Sequence, residues 1–281
     1  MIKKVIIIAN QKIKINHSSD KKNMKIQYCS DLHLEFQENK NYLERFPLKP
    51  AGEILLLAGD IVLFKMMKEH DDFFNYCSDN YENTYWIPGN HEYYHSDLAN
   101  RNVRAENFQP LYEKIRENIF LLNNQTITYK NVELVFSTLW SHIPPQYEWT
   151  VQKNVSDFYQ IKNNGKKFTT ADFNTLYKND VDFLKTVLAK PTDKQRIVVT
   201  HHVPTLMHYP EQYKHTEINS AFATELFHFI ESSDATYWIY GHHHCNTPAF
   251  KIGNTTMLTN QLGYVHQNEH QLFNPAAIIE I

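Results

Sequence analysis

The sequence predicts an α/β fold with mixed sheets, and three observations carry this prediction. Short apolar runs alternate with segments of helical periodicity, as in proteins that interleave strands and helices. A polar cluster stands just after each of five apolar runs. Three of the chain's 7 glycines lie within these clusters, which indicates positions where the backbone turns sharply or approaches another group closely.

Six apolar runs predict strands, because short runs of this kind are typical of buried parallel strands. They cover residues 25–29, 54–58, 85–87, 134–137, 197–199 and 237–240. Apolar residues at helical spacing predict helices over residues 65–79, 108–117, 171–190 and 220–232. Three β-type runs, broken by Asn, Gly and Pro, predict closing strands of a second sheet at residues 250–252, 255–258 and 276–281.

Five polar clusters follow the predicted strands. They are Asp31-Leu32-His33, Gly59-Asp60, Gly89-Asn90-His91-Glu92, His201-His202 and Gly241-His242-His243-His244. Each cluster is expected at the carboxyl end of its strand, where the loops of open α/β sheets converge and bind ligands. The sequence therefore predicts one shared site.

The clusters contain enough ligands for two metal ions. Asp31 and His33 are two residues apart, so at an extended strand end both side chains point to one face. The two oxygens of Asp60 can bind different ions, and a bridging carboxylate of this kind holds two cations about 3.5–4 Å apart. The other candidate ligands are Asn90, His201, His242 and His244. Mixed nitrogen and oxygen ligands suit Mn, Fe, Zn, Co or Ni better than Ca.

Composition limits the classes of function. The 281 residues are 42% hydrophobic, and we expect one domain because no linker separates the clusters. A formal net charge of -3 provides no general basic field for non-specific nucleic-acid binding. Three cysteines without regular spacing predict a reducing, cytoplasmic location. No apolar stretch reaches the roughly 20 residues that span a bilayer, so we expect no membrane association.

The first 23 residues are interpreted as an N-terminal extension, and residues 24–281 as the folded domain. The apolar run at residues 5–9 is shorter than the roughly seven residues of a secretory signal, and no small-residue cleavage site follows it. Residues 11–23 are rich in Lys, Asn and Ser. Two alternatives stay open for the extension: an edge strand with a linker, or a poorly ordered tail.

The order of the five clusters resembles that of the calcineurin-like metallophosphoesterases, from about Met24 to the C-terminus. In that family, Asp-x-His is followed by Gly-Asp, Gly-Asn-His-Glu, a His and Gly-His-x-His, and all five blocks are intact here. The resemblance implies a four-layer α/β/β/α sandwich of two mixed sheets faced by helices, with a dinuclear metal centre along one edge. It also implies hydrolysis of a phosphate ester by a hydroxide that bridges the two metals.

The resemblance further implies a role for each cluster residue. One metal is expected to bind Asp31, His33, Asp60 and His244, and the other Asp60, Asn90, His201 and His242. His91 matches a catalytic histidine that lies near the leaving group without binding metal, and Glu92 is expected to orient it. Manganese is the expected metal, with Fe, Zn, Ni or Co as alternatives.

Departures from two branches of the family narrow the function. Pro88 precedes Gly89, and Ile61-Val62-Leu63 follows Asp60, so the phosphate-binding arginines of the Ser/Thr protein phosphatases are absent. Leu63 stands where the purple acid phosphatases have a metal-binding Tyr, which argues against a charge-transfer Fe(III) centre. The remaining resemblance is to small stand-alone members, mostly bacterial, that begin with a block like residues 30–36.

Neighbours of the ligands have other expected roles. His202 either hydrogen-bonds the site or is structural, and His243 is expected to point away from the metals. Cys245 is expected to be a small buried thiol rather than a ligand. Aromatic residues in segment 137–157 predict either a lid that stacks on a substrate ring or surface aromatics packed on the sheet edge.

Three functions are compatible with these features. The leading hypothesis is a metal-dependent phosphomonoesterase or phosphodiesterase that acts on a small organic phosphate or a nucleotide. The alternative is a nuclease of the same superfamily, although the lack of a basic stripe counts against it. The third is a non-catalytic interaction scaffold, and the complete ligand set counts against that hypothesis.

Overall fold

The computed structural model describes residues 23–101 and 110–281 and places them in a four-layer α/β/β/α sandwich. Two six-stranded mixed sheets pack face to face, with helices on their outer faces. The predicted α/β class with two mixed sheets is confirmed. Within the described ranges, no helix is both long and apolar enough to cross a membrane. The N-terminal extension, apart from its last residue, lies outside these ranges.

The described residues form fifteen strands and seven α-helices, each numbered in chain order. The strands are β1 Lys25–Cys29, β2 Ile54–Ala58, β3 Asn83–Ile87, β4 Ser96–Asp97, β5 Leu111–Arg116, β6 Ile119–Asn123, β7 Gln125–Tyr129, β8 Val132–Phe136, β9 Ile161–Asn163, β10 Lys166–Lys167, β11 Gln195–Val199, β12 Tyr237–Ile239, β13 Phe250–Ile252, β14 Thr255–Leu258 and β15 Ile278–Glu280. The α-helices are α1 Gln37–Arg45, α2 Asp71–Asn80, α3 Glu148–Asn154, α4 Asp157–Gln160, α5 Thr170–Leu188, α6 Glu211–Lys214 and α7 Phe227–Glu231. Short 3-10 helices cover Phe64–His70, His91–Tyr93, Leu98–Arg101, Pro145–Tyr147, Glu217–Ala221, Val265–Gln267 and Glu269–Leu272.

The two large sheets share one design. The first has the strand order β15-β1-β2-β3-β6-β5, and the second has the order β13-β14-β12-β11-β8-β7. In each sheet the four inner strands run parallel, and the strand at either edge is antiparallel. A small third sheet pairs β10, β9 and β4. Parallel pairing brings the loops that follow β1, β2 and β3 to one edge, and those that follow β11 and β12 to the matching edge of the second sheet.

Alternation of side chains along the strands produces three apolar cores. In β2, Leu55 and Leu57 belong to the core shared with α1 and α2, whereas Ile54 and Leu56 belong to the core between the sheets. In β11, Val198 belongs to the third core, which α5 and α7 help to form. A strand buried on both faces needs apolar residues at every position, which explains the continuous run Ile-Leu-Leu-Leu-Ala in β2.

Most predicted elements agree with the structure. Strands β1, β2, β13 and β14 have the predicted bounds, and the runs at 85–87, 134–137, 197–199 and 237–240 are strands that differ from them by one or two residues at an end. The helix predicted over 171–190 is α5, Thr170–Leu188. It begins at a capping box in which Thr169 and Asp172 bond each other's backbone N–H groups, so the local sequence defines its start.

The helix predicted over residues 108–117 is wrong. The described part of this segment is strand β5, Leu111–Arg116, which pairs antiparallel with β6. Apolar residues at 111, 112 and 115 fit helical spacing, but residues 117 and 118 form a tight turn that brings β5 beside a buried neighbour. Pairing with β6 therefore overrides the local pattern.

Three further predictions need correction. The run at 276–281 closes the first sheet rather than the second, because β15 pairs with β1. The helix predicted over 65–79 consists of a 3-10 helix, Phe64–His70, followed by α2. The helix predicted over 220–232 is interrupted, because Ala223 pairs with Val203 in a β-bridge and α7 begins only at Phe227.

Deletion of residues 1–23 is expected to leave the fold intact, because β15 already pairs with the outer edge of β1 and Met24 N donates to Ile281 O at 3.1 Å. Thermal unfolding of residues 24–281 should give a Tm within about 3 °C of the full chain, which corresponds to less than about 1 kcal/mol. A much lower Tm, or loss of soluble protein, would show that the extension belongs to a sheet.

Candidate metal centre

The five polar clusters lie together at the adjoining edges of the two sheets. Asp31 N donates to Gly59 O at 2.9 Å, which joins the loops after β1 and β2. The second sheet contributes through His242 N, which donates to Asp31 Oδ1 at 3.0 Å. His201 Nδ1 lies 2.9 Å from Ala58 O. The last two of these contacts cross between the sheets, so both sheets fix the position of the site.

Five of the seven predicted metal ligands have left-handed backbone conformations, which residues other than glycine rarely adopt. They are Asp31 (φ 55°), His33 (φ 48°), Asp60 (φ 54°), His242 (φ 77°) and His244 (φ 49°). Each such conformation costs on the order of 1 kcal/mol or more. Strain of this kind persists where the surrounding structure holds a functional geometry.

Two glycines make room for ligand side chains. A Cβ on Gly89 would lie 2.2 Å from Asp60 Oδ1, and a Cβ on Gly241 would lie 2.4 Å from Asp31 Oδ2. Both distances are far shorter than a van der Waals contact, so any side chain here would displace a carboxylate. Close approach explains why a chain with few glycines has them at these positions.

Four ligand side chains form a first group: Asp31, His33, Asp60 and His244. One donor atom from each lies within 4.8 Å of all the others. Within the group, His33 Nε2 lies 3.0 Å from His244 Nε2, and His244 Nε2 lies 3.4 Å from Asp31 Oδ1. The Oδ2 atom of Asp60 lies 3.8 Å from His33 Nε2.

A second group contains Asp60, His201 and His242, with the amide of Asn90 beside it. His201 Nε2 lies 3.1 Å from His242 Nδ1, 3.3 Å from Asn90 Oδ1 and 3.4 Å from Asp60 Oδ1. Asp60 therefore belongs to both groups and offers a different oxygen to each. This arrangement is the one that a bridging carboxylate requires.

The donor atoms fit two transition-metal ions. Two ligand atoms about 2.1 Å from one ion and at right angles to each other lie about 3.0 Å apart. The nitrogen pairs His33–His244 and His201–His242 have separations of 3.0 and 3.1 Å. Imidazole nitrogens, carboxylates and one amide oxygen form a donor set that suits Mn, Fe, Zn, Co or Ni.

The far ring nitrogens of three histidines in these groups have acceptors. His33 Nδ1 lies 3.1 Å from Glu35 Oε1, and His244 Nδ1 lies 2.7 Å from Glu269 Oε2. For His201, the acceptor at Nδ1 is the carbonyl oxygen of Ala58. When the ring is neutral, an acceptor at one nitrogen places the hydrogen there and leaves the opposite nitrogen free to bind a cation, and it also fixes the ring plane, as is usual for metal-binding histidines.

His91 lies beside the two groups. Its Nδ1 lies 2.9 Å from Glu35 Oε1, its Nε2 lies 3.3 Å from the Tyr264 hydroxyl, and its ring stacks on Tyr94 at 4.2 Å. Glu35 therefore contacts both His33 and His91 through one oxygen. The His91 backbone N–H donates to Asp60 Oδ1 at 2.9 Å, which ties its position to the shared carboxylate.

The prediction that Glu92 orients His91 is wrong. The Glu92 carboxylate accepts hydrogen bonds from the backbone N–H groups of Asp60, Ile61 and Gly89, and from the indole of Trp86. It is fully buried and makes no hydrogen bond to the His91 ring. Glu92 thus holds the loop that carries Asp60, whereas Glu35 contacts the His91 ring.

Asp157 was not predicted from the sequence. It is buried at the start of α4, and its Oδ1 accepts from Asn90 Nδ2 at 2.9 Å and from the Tyr94 hydroxyl at 2.7 Å. An acceptor at Nδ2 turns Oδ1 of Asn90 towards the second group. Asp157 follows no predicted strand and lies 67 residues from Asn90, so no local signal could have found it.

Three other residues near the site were missed, and the structure favours one of the two alternatives left open for His202. Glu35 lies in the block 30–36, two residues after His33, and that spacing could have identified it. Glu269 and Tyr264 come from the chain after β14 and carry no pattern that links them to the site. Buried His202 has no hydrogen-bond partner on its ring nitrogens among the described residues and packs 4.1 Å from the ring of His242, which favours the structural alternative.

The lid prediction for segment 137–157 is not supported. Trp140 is buried in the core with Phe173, and Trp149 is 73% exposed on the outside. Neither lines the cavity above the metal groups; residues 154–157 do so instead. His243 stacks between Tyr209 and Tyr240 and lies outside both metal groups.

Buried opposite charges define the electrostatics of the site. Burial acts to raise the pKa of Asp60, but His201 and His91 outweigh burial and hold this pKa well below its usual value. Burial acts to lower the pKa of His201, yet the Asp60 carboxylate prevails and raises it to about 9. Asp31 and Glu269 likewise raise the pKa of His244 to about 10 against burial. Cation binding must therefore displace protons from these histidines.

The fold and the site define a class of protein: a metal-binding α/β/β/α sandwich with two donor groups that share one carboxylate. The chain matches the calcineurin-like phosphoesterase model over residues 24–246 and belongs to that family. It is therefore a metal-dependent phosphoric ester hydrolase, and the family implies a dinuclear metal centre.

Similar proteins span nearly the whole chain. An uncharacterised protein of Acanthamoeba polyphaga mimivirus is 33% identical over 278 residues, which cover 91% of this chain and 96% of the viral protein. Among solved structures, the phosphopantetheinyl hydrolase of Mycobacterium tuberculosis has a TM-score of 0.62 at 16% identity, and the match covers 92% and 96% of the two chains. A dimetal phosphatase from Danio rerio aligns with a TM-score of 0.44 at 12% identity over 85% and 87%.

Replacement of Asp157 by Ala is expected to weaken metal binding at the second group by about 10–100-fold, because Asn90 Nδ2 loses its acceptor and the amide can turn. Asp157→Asn keeps an acceptor oxygen and should have a smaller effect. Metal content after dialysis, measured by mass spectrometry, tests this. Exposed Asp182, in a surface pair with Lys178, provides the control Asp182→Ala. Equal metal content in Asp157→Ala and Asp182→Ala would contradict the orienting role.

Proposed function

We propose that this protein is a dinuclear-metal-dependent phosphoesterase that hydrolyses a phosphomonoester or phosphodiester of a small organic phosphate or nucleotide. One observation carries the proposal: two donor groups meet at Asp60, which presents one oxygen to each group. A paired site of this type is suited to in-line displacement at phosphorus, because it can bind both the attacking and the departing oxygen.

The proposed ligands divide between two ions. Asp31, His33, Asp60 and His244 would hold one, and Asp60, Asn90, His201 and His242 would hold the other. Manganese is the proposed metal, with Fe, Zn, Ni or Co as alternatives, in keeping with the mixed donor set. Bound there, the two cations would neutralise charge on the phosphoryl oxygens and lower the pKa of an attacking water.

His91 is the proposed general acid. Its Nδ1 lies against the Glu35 carboxylate, which favours a ring protonated on both nitrogens. Its Nε2 points to the Tyr264 hydroxyl and lines the cavity above the metal groups. A proton on Nε2 would then be available to the oxygen of the leaving group. The stacked ring of Tyr94 and the Glu35 contact hold the imidazole in this orientation.

The compartment is proposed as reducing and cytoplasmic. All three cysteines are free, and Cys29 and Cys77 are buried in the core. Burial raises the pKa of the Cys245 thiol, so it is not an activated thiolate. A reducing compartment is consistent with unpaired thiols.

Turnover of a substrate panel by the manganese-loaded protein tests the proposed function. Hydrolysis is expected for p-nitrophenyl phosphate, bis-p-nitrophenyl phosphate or a cyclic nucleotide, and Asp60→Asn should abolish it. Cleavage of single-stranded DNA without turnover of these esters would favour the nuclease alternative. A protein that binds metal but hydrolyses none of them would favour the scaffold.

Replacement of His91 by Ala should reduce kcat by about 10² or more on an alkyl phosphate, whose alkoxide needs a proton. The loss should be smaller with p-nitrophenyl phosphate, because nitrophenolate leaves readily as an anion without a proton. Metal content should stay unchanged, because His91 lies outside the two groups that share Asp60.

A matched histidine variant controls for the His91 test. His215 is exposed and lies outside the cavity lining, so His215→Ala should behave like the unchanged protein on both substrates. Equal losses on the alkyl and nitrophenyl esters in His91→Ala would argue against proton donation to the leaving group.

A further inference from the structure

A cavity of about 790 Å3 lies above the candidate metal centre and is far larger than a phosphate group. Asp60, Asn90, His91, His242 and His244 line it on the side of the metal groups. Cavities of this volume hold drug-sized organic molecules. The inference that follows rests on the proposed phosphoesterase function, because it assumes that the phosphate of the substrate binds at the metal centre. Most of the volume then surrounds the organic part of the substrate.

The wall of the cavity that lies away from the candidate metal centre is mainly apolar and aromatic. Leu63 and Met66 line it from the segment that follows β2, and Tyr213, Ile218 and Phe222 line it from the segment between β11 and β12. Met66, Ile218 and Phe222 are only partly buried, and Tyr213 is 47% exposed. An apolar ligand would remove this surface from water, which favours binding.

The charges of the wall do not fit a second anionic group. Among the described residues that line the cavity there is one lysine, Lys65, and no arginine. Glu35, Asp60, Asp157 and Glu269 also line it, and each is already in contact with a histidine, an amide or a hydroxyl. A second phosphate bound to this wall would give up its hydration shell. Among the described lining residues, Lys65 is the one lysine or arginine that could balance its charge.

We propose that the substrate carries a single phosphate ester on an uncharged, apolar or aromatic organic group that packs between Met66 and Ile218. Polyphosphates and nucleic-acid strands, which carry further charges along their length, fit this wall poorly. The proposal makes Ile218 and Met66 specificity-determining residues for the organic group. It assigns no role to them in the reaction at phosphorus.

Three phosphonates that resist hydrolysis test the proposal by calorimetry on the manganese-loaded protein. They share one head group: methylphosphonate has no arm, benzylphosphonate has an aromatic arm, and 3-phosphonopropionate has an anionic arm. Benzylphosphonate should bind at least about tenfold more tightly than methylphosphonate, because its ring buries apolar surface. 3-Phosphonopropionate should bind no more tightly than methylphosphonate.

Substitutions in the cavity wall test where the organic group of the phosphonate binds. Ile218→Ser and, independently, Met66→Gln should remove most of the benzyl preference and leave methylphosphonate affinity unchanged. Phe46 is 57% exposed and does not line the cavity, so Phe46→Ser serves as the control and should keep the full preference. Circular dichroism and Tm establish that each variant folds, and either folded variant suffices for the comparison.

The outcomes separate this inference from the function on which it rests. Tighter binding of 3-phosphonopropionate than of benzylphosphonate would overturn the inference, as would a benzyl preference that survives in both variants. In either case, turnover of p-nitrophenyl phosphate would leave the phosphoesterase function standing. Absence of both phosphonate binding and nitrophenyl phosphate turnover would overturn the two proposals together.

Discussion

The structure depends on keeping the Asp60 carboxylate ionised although it is almost completely buried. Asp60 is 1% exposed, and an isolated buried carboxylate costs several kcal/mol unless cations or donors compensate it. Without metal, His201 and His91 supply that compensation, and they hold the pKa of Asp60 low. Several costly features surround this residue: its left-handed backbone, the glycine at position 89 and the buried Glu92 that binds the N–H groups of residues 60 and 61. Together they fix one side chain on which two groups of ligands meet.

Contacts outside the ligands explain how the two sheets form one site. Each sheet contributes loops from the carboxyl ends of its parallel strands, and hydrogen bonds such as His242 N to Asp31 Oδ1 join the two edges. Around them lies a set of acceptors, of which Glu35, Glu269 and Asp157 are the side-chain members. They orient ring nitrogens and one amide and come from three separate parts of the chain. The ligands occupy strand ends, whereas the groups that orient them lie on helices and connecting segments.

The sequence predicted what depends on strand ends and missed what depends on long-range packing. Ligand clusters such as Asp31-Leu32-His33 lie just after apolar runs, so periodicity and residue type locate them. The resemblance implied that Glu92 orients His91, but a 3-10 turn directs Glu92 into the core and leaves Glu35 in contact with the ring. Strand β5 was mistaken for a helix because its apolar spacing fits both structures, and only its pairing with β6 decides between them. Asp157, Glu269 and the apolar wall near Ile218 have no sequence signature, since the tertiary fold alone brings them to the site.

A crystal structure of the manganese-loaded protein, with anomalous scattering measured on both sides of the manganese absorption edge, tests the central claim most directly. Two anomalous peaks are expected within about 4 Å of each other, with one Asp60 oxygen bound to each ion. Asn90 Oδ1 should contact the ion held by His201 and His242, and His91 should contact neither. Two ions with Asp60 bound to neither, or a single ion at full occupancy in excess manganese, would contradict it.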